Sequence, residues 1–405
     1  MKKIPSILLL LLAFFSCARQ IPVQEEDASR AVSDHLSSGQ VNAIAEDALG
    51  QIWMGTSRGL NRFDGKFFHQ FFHSADTLSL PDNHVTDLKV GPDGTLWVAT
   101  WSGLVRMDGN GRFNRIAPED PRDLITYKLA VTPEGDVFVV CQDQIAVCRK
   151  ESGRMELALR TPESYGQARL YSGSRNTLWV VSVNDIYCLD TQSLELEVRY
   201  STPHPVTCSQ LTKDGILCLA GSRHFSLFDT RSRQFQSYER KTYGWPELAD
   251  CDVDVICEPK EGKLLFVTSG GMCLYDRNAD VLLSQQDEAF PYKVPDFKIQ
   301  TLFPDSNGLL WFGAVDQGYA VSAVGDNSYG DNPAIREFFY RKSIASIAAT
   351  PEGNLWVSTK RDGLFYCEVE AGRVEPVSLS AYLEENPLGI DYCNRIMVAR
   401  DLILF

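Results

Sequence analysis

The chain has 405 residues, of which 44% are hydrophobic and 23% are charged. This composition excludes a disordered, collagen-like or coiled-coil protein, because there is ample apolar surface to bury and no low-complexity bias. The formal net charge is -14, from 39 basic and 53 acidic residues. A nucleic-acid binder needs a positive surface to displace counterions from phosphates, so we expect no nucleic-acid partner.

Residues 1–18 are predicted to be an export signal. Two lysines precede an apolar run from Ile4 to Phe15, which is too short to cross a bilayer as a permanent helix. The end of this segment has two interpretations, signal peptidase cleavage after Ala18 or lipidation of Cys17, and plain cleavage is favoured. Both interpretations predict a periplasmic protein.

A polar leader, residues 19–36, follows the export signal. Its end, Arg30 to Leu36, is expected to supply the outer strand that closes a ring against the last repeat.

An internal repeat begins after the leader. Val41 to Gly65 aligns without a gap with Val85 to Gly109, and the same unit then returns with decay. Self-similarity at a fixed period of this length indicates a repeat architecture. The turn residue that anchors each unit recurs every 39 to 47 residues, at Gly50, Gly94, Gly135, Asn176, Gly215, Gly262, Gly308 and Gly353.

Each unit divides into four short strands separated by turns. In the first unit the predicted strands are Val41 to Ala45, Ile52 to Thr56, Leu60 to Phe63 and Phe67 to Phe72. Four strands per unit without a helical period are typical of a propeller blade, whereas a β-solenoid has shorter turns. We predict an all-β fold, a β-propeller of seven four-stranded blades plus the start of a second propeller.

A tryptophan recurs three residues after the anchor in five units. A large ring at this place is expected to fill the wedge between neighbouring blades, so these residues are assigned to the fold and not to a site. They are Trp53, Trp97, Trp179, Trp311 and Trp356.

The domain boundaries follow from the repeats. Residues 37–335 are predicted to form the seven-bladed propeller, with a linker at Gly325 to Pro333. Residues 336–405 are expected to form the first blade and the start of a second propeller. Because the sequence ends inside an apolar strand, whose unpaired edge would invite aggregation, we expect a longer protein.

Most of the eleven cysteines lie inside apolar, strand-like runs. Buried free thiols are therefore the favoured interpretation. Two pairs flank predicted turns and stay open as alternatives for disulfides, Cys208 with Cys218 and Cys141 with Cys148.

The sequence contains no recognisable catalytic, phosphate-binding or metal-binding motif, so we predict no enzyme, no metal and no cofactor. His69, His73 and His84 lie close together in the sequence, but a role on an outer strand is favoured over metal ligation.

Propeller geometry predicts where a ligand would bind. The loop between the second and third strands of a blade lies on the same face as the connection to the next blade, and these loops carry the residues that do not repeat. Sugars pair an apolar ring face with many hydroxyls, so an aromatic plate with planar hydrogen-bonding groups would suit them. The candidate ligand-binding residues are Trp101, Arg58, Asn83, His84, Arg223 and His224.

The unit from Ile44 to Gly65 closely resembles the two-component regulator propeller repeat, which builds the periplasmic sensor region of Bacteroides-type hybrid two-component histidine kinases. The resemblance implies two consecutive seven-bladed propellers, a membrane span, a kinase, a receiver and a DNA-binding module. It also implies oligosaccharide sensing that controls polysaccharide-utilisation genes.

This chain shows none of the kinase or receiver motifs of that plan. It is therefore expected to be a ligand-sensing fragment, attached to the inner membrane only through a missing C-terminal part or a lipid on Cys17, with a homodimer as one form of the full-length protein. The alternatives are a stand-alone exported propeller for protein or glycan binding and, less favoured, a secreted propeller lyase.

Overall fold

The chain divides into two compact units, 1–322 and 323–405. The boundary lies before the predicted linker and ahead of the predicted domain limit at residue 335. The computed structural model describes residues 30–65, 67–108, 111–120, 124–142, 144–150, 153–160, 168–174, 176–222, 224–239, 252–323, 333–339, 342, 344–350, 353–359, 361–369, 371–377, 397–399 and 402–404. The export signal and most of the leader lie outside these residues.

The described part of the first unit contains seven sheets. Sheet 1 holds β1 (Arg30–Ser33), β2 (Val41–Glu46), β3 (Ile52–Thr56), β4 (Gly59–Phe63) and β5 (Phe68–Phe71). Sheet 2 holds β6 (Val85–Val90), β7 (Leu96–Thr100), β8 (Gly103–Met107) and β9 (Phe113–Arg115). Sheet 3 holds β10 (Ala117–Pro118), β11 (Leu129–Val131), β12 (Val137–Val140), β13 (Gln144–Cys148) and β14 (Arg154–Arg160).

The other four sheets continue in chain order. Sheet 4 holds β15 (Arg169–Ser172), β16 (Thr177–Val181), β17 (Asp185–Asp190) and β18 (Leu196–Ser201). Sheet 5 holds β19 (Cys208–Leu211), β20 (Ile216–Ala220), β21 (His224–Asp229) and β22 (Gln234–Glu239). Sheet 6 holds β23 (Val253–Lys260), β24 (Lys263–Thr268), β25 (Gly271–Asp276) and β26 (Val281–Ser284). Sheet 7 holds β27 (Ile299–Pro304), β28 (Leu309–Ala314) and β29 (Tyr319–Ala323).

The strands of each repeat pair antiparallel in chain order, as the repeat predicted. The two additional strands join the outer edges of their sheets, β1 beside β5 and β10 parallel to β14. The anchor turns explain why the chain reverses at these places, since a residue with positive φ is needed there and glycine adopts it at low cost. All eight anchors have positive φ, from 58° at Asn176 to 96° at Gly135. Asn176 fits the series because asparagine tolerates the left-handed region better than most residues.

The first unit closes into a ring, because sheet 7 packs against sheet 1. The Gln300 side chain donates to Asn42 Oδ1 at 2.9 Å, and the Ser306 backbone N–H donates to Glu46 Oε2 at 2.7 Å. Trp311 of sheet 7 shares a buried cluster with Val41 of sheet 1. This closed ring of sheets is the predicted β-propeller, although the strands per sheet vary from three to five in the described residues.

The prediction that the end of the leader forms a strand beside the last repeat is wrong. β1 pairs antiparallel with β5, with Arg30 opposite Phe71, so it adds a fifth strand to the outer edge of sheet 1 and not to sheet 7. Closure is instead made by the segment after β1, where the Gly318 N–H donates to the Gly39 carbonyl at 2.7 Å and Leu36 packs beside Tyr319. The free edge of β5 accepts β1 because it offers unpaired backbone groups.

The recurrent tryptophans pack between sheets, as predicted. Trp53 lies in a buried cluster with Val85 and Leu88 of sheet 2, and Trp179 contacts Phe228 of sheet 5 with ring centroids 5.7 Å apart. The exposed fraction of all five indoles is 8% or less. They are therefore fold residues.

The described cysteines are free and buried. In sheet 5, Cys218 lies opposite Gln210 and Cys208 lies opposite Ala220, so this pair does not face across the hairpin. In sheet 3, Cys148 lies opposite Val137 and not opposite Cys141. Both disulfide alternatives are thus contradicted, and free thiols remain.

In its described residues, the second unit contains one short helix beside the strands of the predicted all-β fold. Its elements are α1 (Pro333–Phe339), β30 (Ile344–Ala349), β31 (Leu355–Thr359), β32 (Gly363–Glu368), β33 (Arg373–Val377), β34 (Met397–Ala399) and β35 (Leu402–Leu404). β30 to β33 form one antiparallel sheet, as expected for the eighth repeat, and β34 pairs with β35. In the described part of the chain, no helix has the length and apolar character needed to span a membrane.

Candidate functional site

Three loops of sheets 1 and 2 meet on one face of the ring. The Gly59 N–H donates to the Asn83 carbonyl at 2.7 Å, and the Trp101 N–H donates to the His84 carbonyl at 3.2 Å. The Ser102 hydroxyl also reaches Asp82 Oδ2 at 3.0 Å. These contacts join residues 57–58, 81–84 and 101–102 into a continuous surface, which we call the loop face.

Trp101 is the aromatic plate of the loop face. Its side chain is 52% exposed, whereas the recurrent tryptophans are buried. The imidazole of His84 stacks on its indole, with ring centroids 3.8 Å apart and planes 9° from parallel. This stack fixes the indole from one side and leaves the rest of it open to solvent, which suits the apolar face of a ring-shaped ligand.

His84 is held in place by the acidic residue before it. The backbone N–H of His84 donates to Asp82 Oδ1 at 2.7 Å. Burial lowers the pKa of the His84 imidazole, and the nearby Asp82 carboxylate opposes this shift. The imidazole is therefore neutral at neutral pH, and it stacks on Trp101 as an uncharged ring.

Two more predicted residues lie on the loop face. Asn83 Oδ1 accepts the backbone N–H of His73 at 2.7 Å, so the amide holds the connection between sheets 1 and 2. Arg58 is exposed in the turn between β3 and β4, and its backbone N–H donates to Thr56 Oγ1 at 3.1 Å. The structure thus brings Arg58, Asn83, His84 and Trp101 together.

The remaining two predicted residues belong to sheet 5. Arg223 lies outside the described residues. His224 begins β21, and its backbone pairs with Glu239 of β22. The turn before β21 corresponds in the repeat to the turns before Gly59 and Gly103.

The other histidines of the first repeat make local contacts. His69 Nε2 lies 2.8 Å from Asp64 Oδ2, and His73 Nδ1 lies 2.8 Å from the Leu80 carbonyl. Over the part of the chain that the structure describes, no cluster of three or more histidine, cysteine or acidic residues could hold a metal ion.

The sequence reasoning missed the centre of the ring. A cavity of about 410 Å³ there is lined by one strand from each sheet of the first unit, namely β2, β6, β11, β15, β19, β23 and β27. We call it the channel. Its charged lining residues are Asp87, Lys89, Lys128, Arg169, Lys213, Asp254 and Glu258.

The repeat sequence contains a pattern of charged residues that indicates the channel. Asp87, Lys128 and Arg169 each lie seven residues before their anchors, so they occupy equivalent places on three consecutive sheets. Sheet 1 has Ala43 at this place and sheet 7 has Thr301. A comparison of repeats by position would have singled out this run of charges.

Comparison with known proteins supports the repeat and the fold. Residues 35–58 and 79–102 match the family model of the two component regulator propeller. The extracellular domain of a hybrid two component system from B. thetaiotaomicron is similar to this chain with a TM-score of 0.56 at 18% identity, over 85% of this chain and 48% of that one. No curated protein matches the chain.

Two further solved structures have the same fold. A second hybrid two component extracellular domain from B. thetaiotaomicron gives a TM-score of 0.56 at 14% identity, over 90% of this chain and 49% of that one. The computationally designed Ika8 protein gives 0.52 at 12% identity, over 72% and 98%. This chain therefore spans about half the length of the bacterial domains, and at these identities the likeness concerns the fold alone.

Proposed function

Starting from the two-component regulator propeller repeats that this chain carries, we propose that it is the ligand-sensing part of an exported two-component sensor. In this proposal the chain binds a ligand in the periplasm and catalyses no reaction. The ligand is an oligosaccharide, and its binding controls polysaccharide-utilisation genes through the parts of the sensor that carry the kinase.

The observation that carries the proposal is the exposed indole of Trp101. An indole at 52% exposure leaves about half of its surface open to solvent, whereas the recurrent tryptophans bury nearly all of theirs. Its stack on His84 holds the ring in one orientation, so little side-chain freedom is lost when a ligand binds. A rigid aromatic plate beside polar groups is the arrangement that sugars require.

Neighbouring groups on the loop face would supply the hydrogen bonds. Arg58 offers planar guanidinium donors at the exposed turn of sheet 1, and Ser102 offers a hydroxyl at the turn of sheet 2. Asp82 already accepts the His84 N–H and the Ser102 hydroxyl, so it orders the site more than it contacts ligand.

Calorimetric titration with a panel of neutral and acidic plant and host oligosaccharides tests the proposal. For any sugar that binds, Trp101→Ala should weaken binding by roughly tenfold or more, as loss of a stacked ring does. Leu49→Ala is the matched control, because Leu49 is 84% exposed in the turn at the opposite end of sheet 1. An affinity unchanged by Trp101→Ala would refute the loop face as the sugar site.

A further inference from the structure

The channel carries an uneven distribution of charge. Lys89 of β6, Lys128 directly before β11 and Arg169 at the start of β15 all line it, and they come from three consecutive sheets. We call these three residues the basic band. In the described lining, Asp87 is the acidic residue that comes from these three sheets. These three sheets therefore contribute three cations and one carboxylate to the described lining, in a protein whose net charge is -14.

Lys128 is at the centre of the basic band. Burial lowers the pKa of its ammonium group, and the positive charges of Arg169 and Lys89 add to this effect, while Asp87 opposes it. Lys128 thus has neighbouring charges of its own sign within electrostatic range. A partly desolvated cation in such surroundings gains from a negative partner.

Two of the three described lining carboxylates are already engaged, whereas the third, Asp254, is exposed. Asp87 is 8% exposed, and its Oδ2 accepts the Leu129 N–H at 2.9 Å. Across the channel, Glu258 accepts the backbone N–H of Gly262 at 3.0 Å and that of Lys213 at 2.7 Å. These hydrogen bonds hold the carboxylates against the backbone.

Neither Lys89 nor Lys128 forms a salt bridge with a described residue. The described lysines that do so are Lys150, Lys263 and Lys342. Lys89 and Lys128 therefore keep donors that no salt bridge to a described residue uses.

Neutral polar groups complete the lining. The Asn42 and Gln300 side chains form a pair at 2.9 Å, and Ser209 lies beside the buried hydroxyl of Tyr171 at 3.0 Å. Amides and hydroxyls of this kind can pair with sugar hydroxyls. The volume of about 410 Å³ is within the range of small-molecule sites.

We propose that the channel binds the carboxylate of a small acidic ligand, a uronic acid or a short oligosaccharide that ends in one. Lys128 and Lys89 supply the counter-charge, and the positive charge of Arg169 on the neighbouring sheet adds to the local field. This site shares no residue with the loop face, and it adds an acidic ligand class to the proposed function without depending on it.

Titration of the intact chain with galacturonic acid tests the site, with galactose as its uncharged counterpart and acetate as the carboxylate alone. Galacturonic acid should bind, galactose should bind at least about tenfold more weakly, and the affinity should fall as salt is added. Equal binding of galactose and galacturonic acid would overturn the proposal, as would no binding of galacturonic acid or acetate at millimolar concentration.

Two variants that change the charge of the channel in opposite directions extend this test. Lys128→Met removes a cation but keeps the length of the side chain, and it should weaken galacturonic acid binding by about tenfold. Asp87→Asn keeps an acceptor for the Leu129 N–H but removes the local negative charge, so it should tighten binding by roughly two- to fivefold. Lys150→Met is the matched control, because Lys150 is a lysine of the same sheet as Lys128 that does not line the channel and pairs with Asp93 at the surface.

Chemical labelling provides a readout that does not depend on affinity. Acetic anhydride should modify Lys128 in the free protein, and galacturonic acid should protect it at least about fivefold while leaving Lys150, outside the channel, unprotected. Circular dichroism of each variant shows whether it is folded. Folded Lys128→Met or Asp87→Asn proteins that bind like the unaltered chain would refute the basic band as the binding site, whatever Trp101→Ala does to the loop face.

Discussion

The imidazole of His84 stacks on the indole of Trp101, with centroids 3.8 Å apart and planes 9° from parallel. The two residues come from different loops, and the hydrogen bond from the Trp101 N–H to the His84 carbonyl joins those loops. The geometry of the loop face therefore depends on this pair.

Acid should weaken this part of the structure. The pKa of His84 is lowered from 6.5 in the folded state, so the unfolded state binds more protons as the pH falls through 6.5. Stability is therefore lost on going from about pH 8 to about pH 5.5. His84→Phe keeps a stacking ring but cannot titrate, so its melting temperature should fall less over this range. An equal fall in both proteins would contradict the lowered pKa.

Two turn aspartates, Asp47 in sheet 1 and Asp305 in sheet 7, should stabilise their sheets through equivalent hydrogen bonds. Asp47 accepts the N–H groups of Leu49 and Gln51 and the indole N–H of Trp53, at 2.8 to 3.0 Å. Asp305 makes the equivalent contacts to Asn307, Leu309 and Trp311. Either change to alanine leaves a buried indole N–H without its acceptor, at a cost of about 2 kcal/mol.

Thermal and urea unfolding measure this loss. Gly91→Asp is a useful comparison, because sheet 2 has glycine at the corresponding place, where a Cβ would lie 3.0 Å from Asp93 Oδ1 and 3.6 Å from Trp97 Nε1. A second carboxylate against Asp93 is repelled, so this change should lower stability even though it places an acceptor near the indole. If Asp305→Ala unfolds like the unaltered protein, the aspartate does not stabilise the turn.

Gly39 should be essential for closing the ring. A Cβ at this residue would lie 2.1 Å from the Asp316 carbonyl oxygen, so Gly39→Ala forces sheets 1 and 7 apart and should cost about 3 kcal/mol. Gly65→Ala is the comparison, because a Cβ there meets nothing within 4 Å and only its φ of 94° is unfavourable. That change should cost about 1 kcal/mol. Equal losses in urea unfolding would show that the contact at Gly39 is relieved elsewhere.

The buried thiols should be inert in the folded protein. Burial raises the pKa of Cys148 to about 11, and burial together with the neighbouring Glu197 raises that of Cys188 to about 12. At about pH 8 the reactive thiolate is therefore scarce, and peptides containing these residues should stay unlabelled by iodoacetamide until urea is added. Ser102→Cys, exposed on the loop face, should react at once. Rapid labelling of Cys148 in the native state would contradict its burial.

The repeat made most of the first unit predictable, because its signals are local. The anchor turn itself requires a positive φ at Gly50 and at Asn176. The buried tryptophans three residues later follow from the alternation of side chains along a strand. β1 was assigned to the wrong sheet because an edge strand has no local signal for its partner. The short helix α1 interrupts a sequence that otherwise repeats strands.

The candidate site was only partly predictable. The exposure of Trp101 followed from its place in a turn, but its stack on His84 depends on how two loops meet. The basic band was missed because Lys128 and Arg169 lie 41 residues apart and converge only when the ring closes. Long-range convergence of this kind is a property of the closed ring and not of one repeat.

The most direct test of the account is fluorine NMR of the protein labelled with 5-fluorotryptophan, titrated with an oligosaccharide that binds by calorimetry. The Trp101 resonance, assigned by its absence in Trp101→Phe, should shift with the calorimetric affinity, while those of the buried Trp53 and Trp311 stay in place. Saturation with sugar that leaves the Trp101 resonance unmoved would contradict the loop face as the site of recognition.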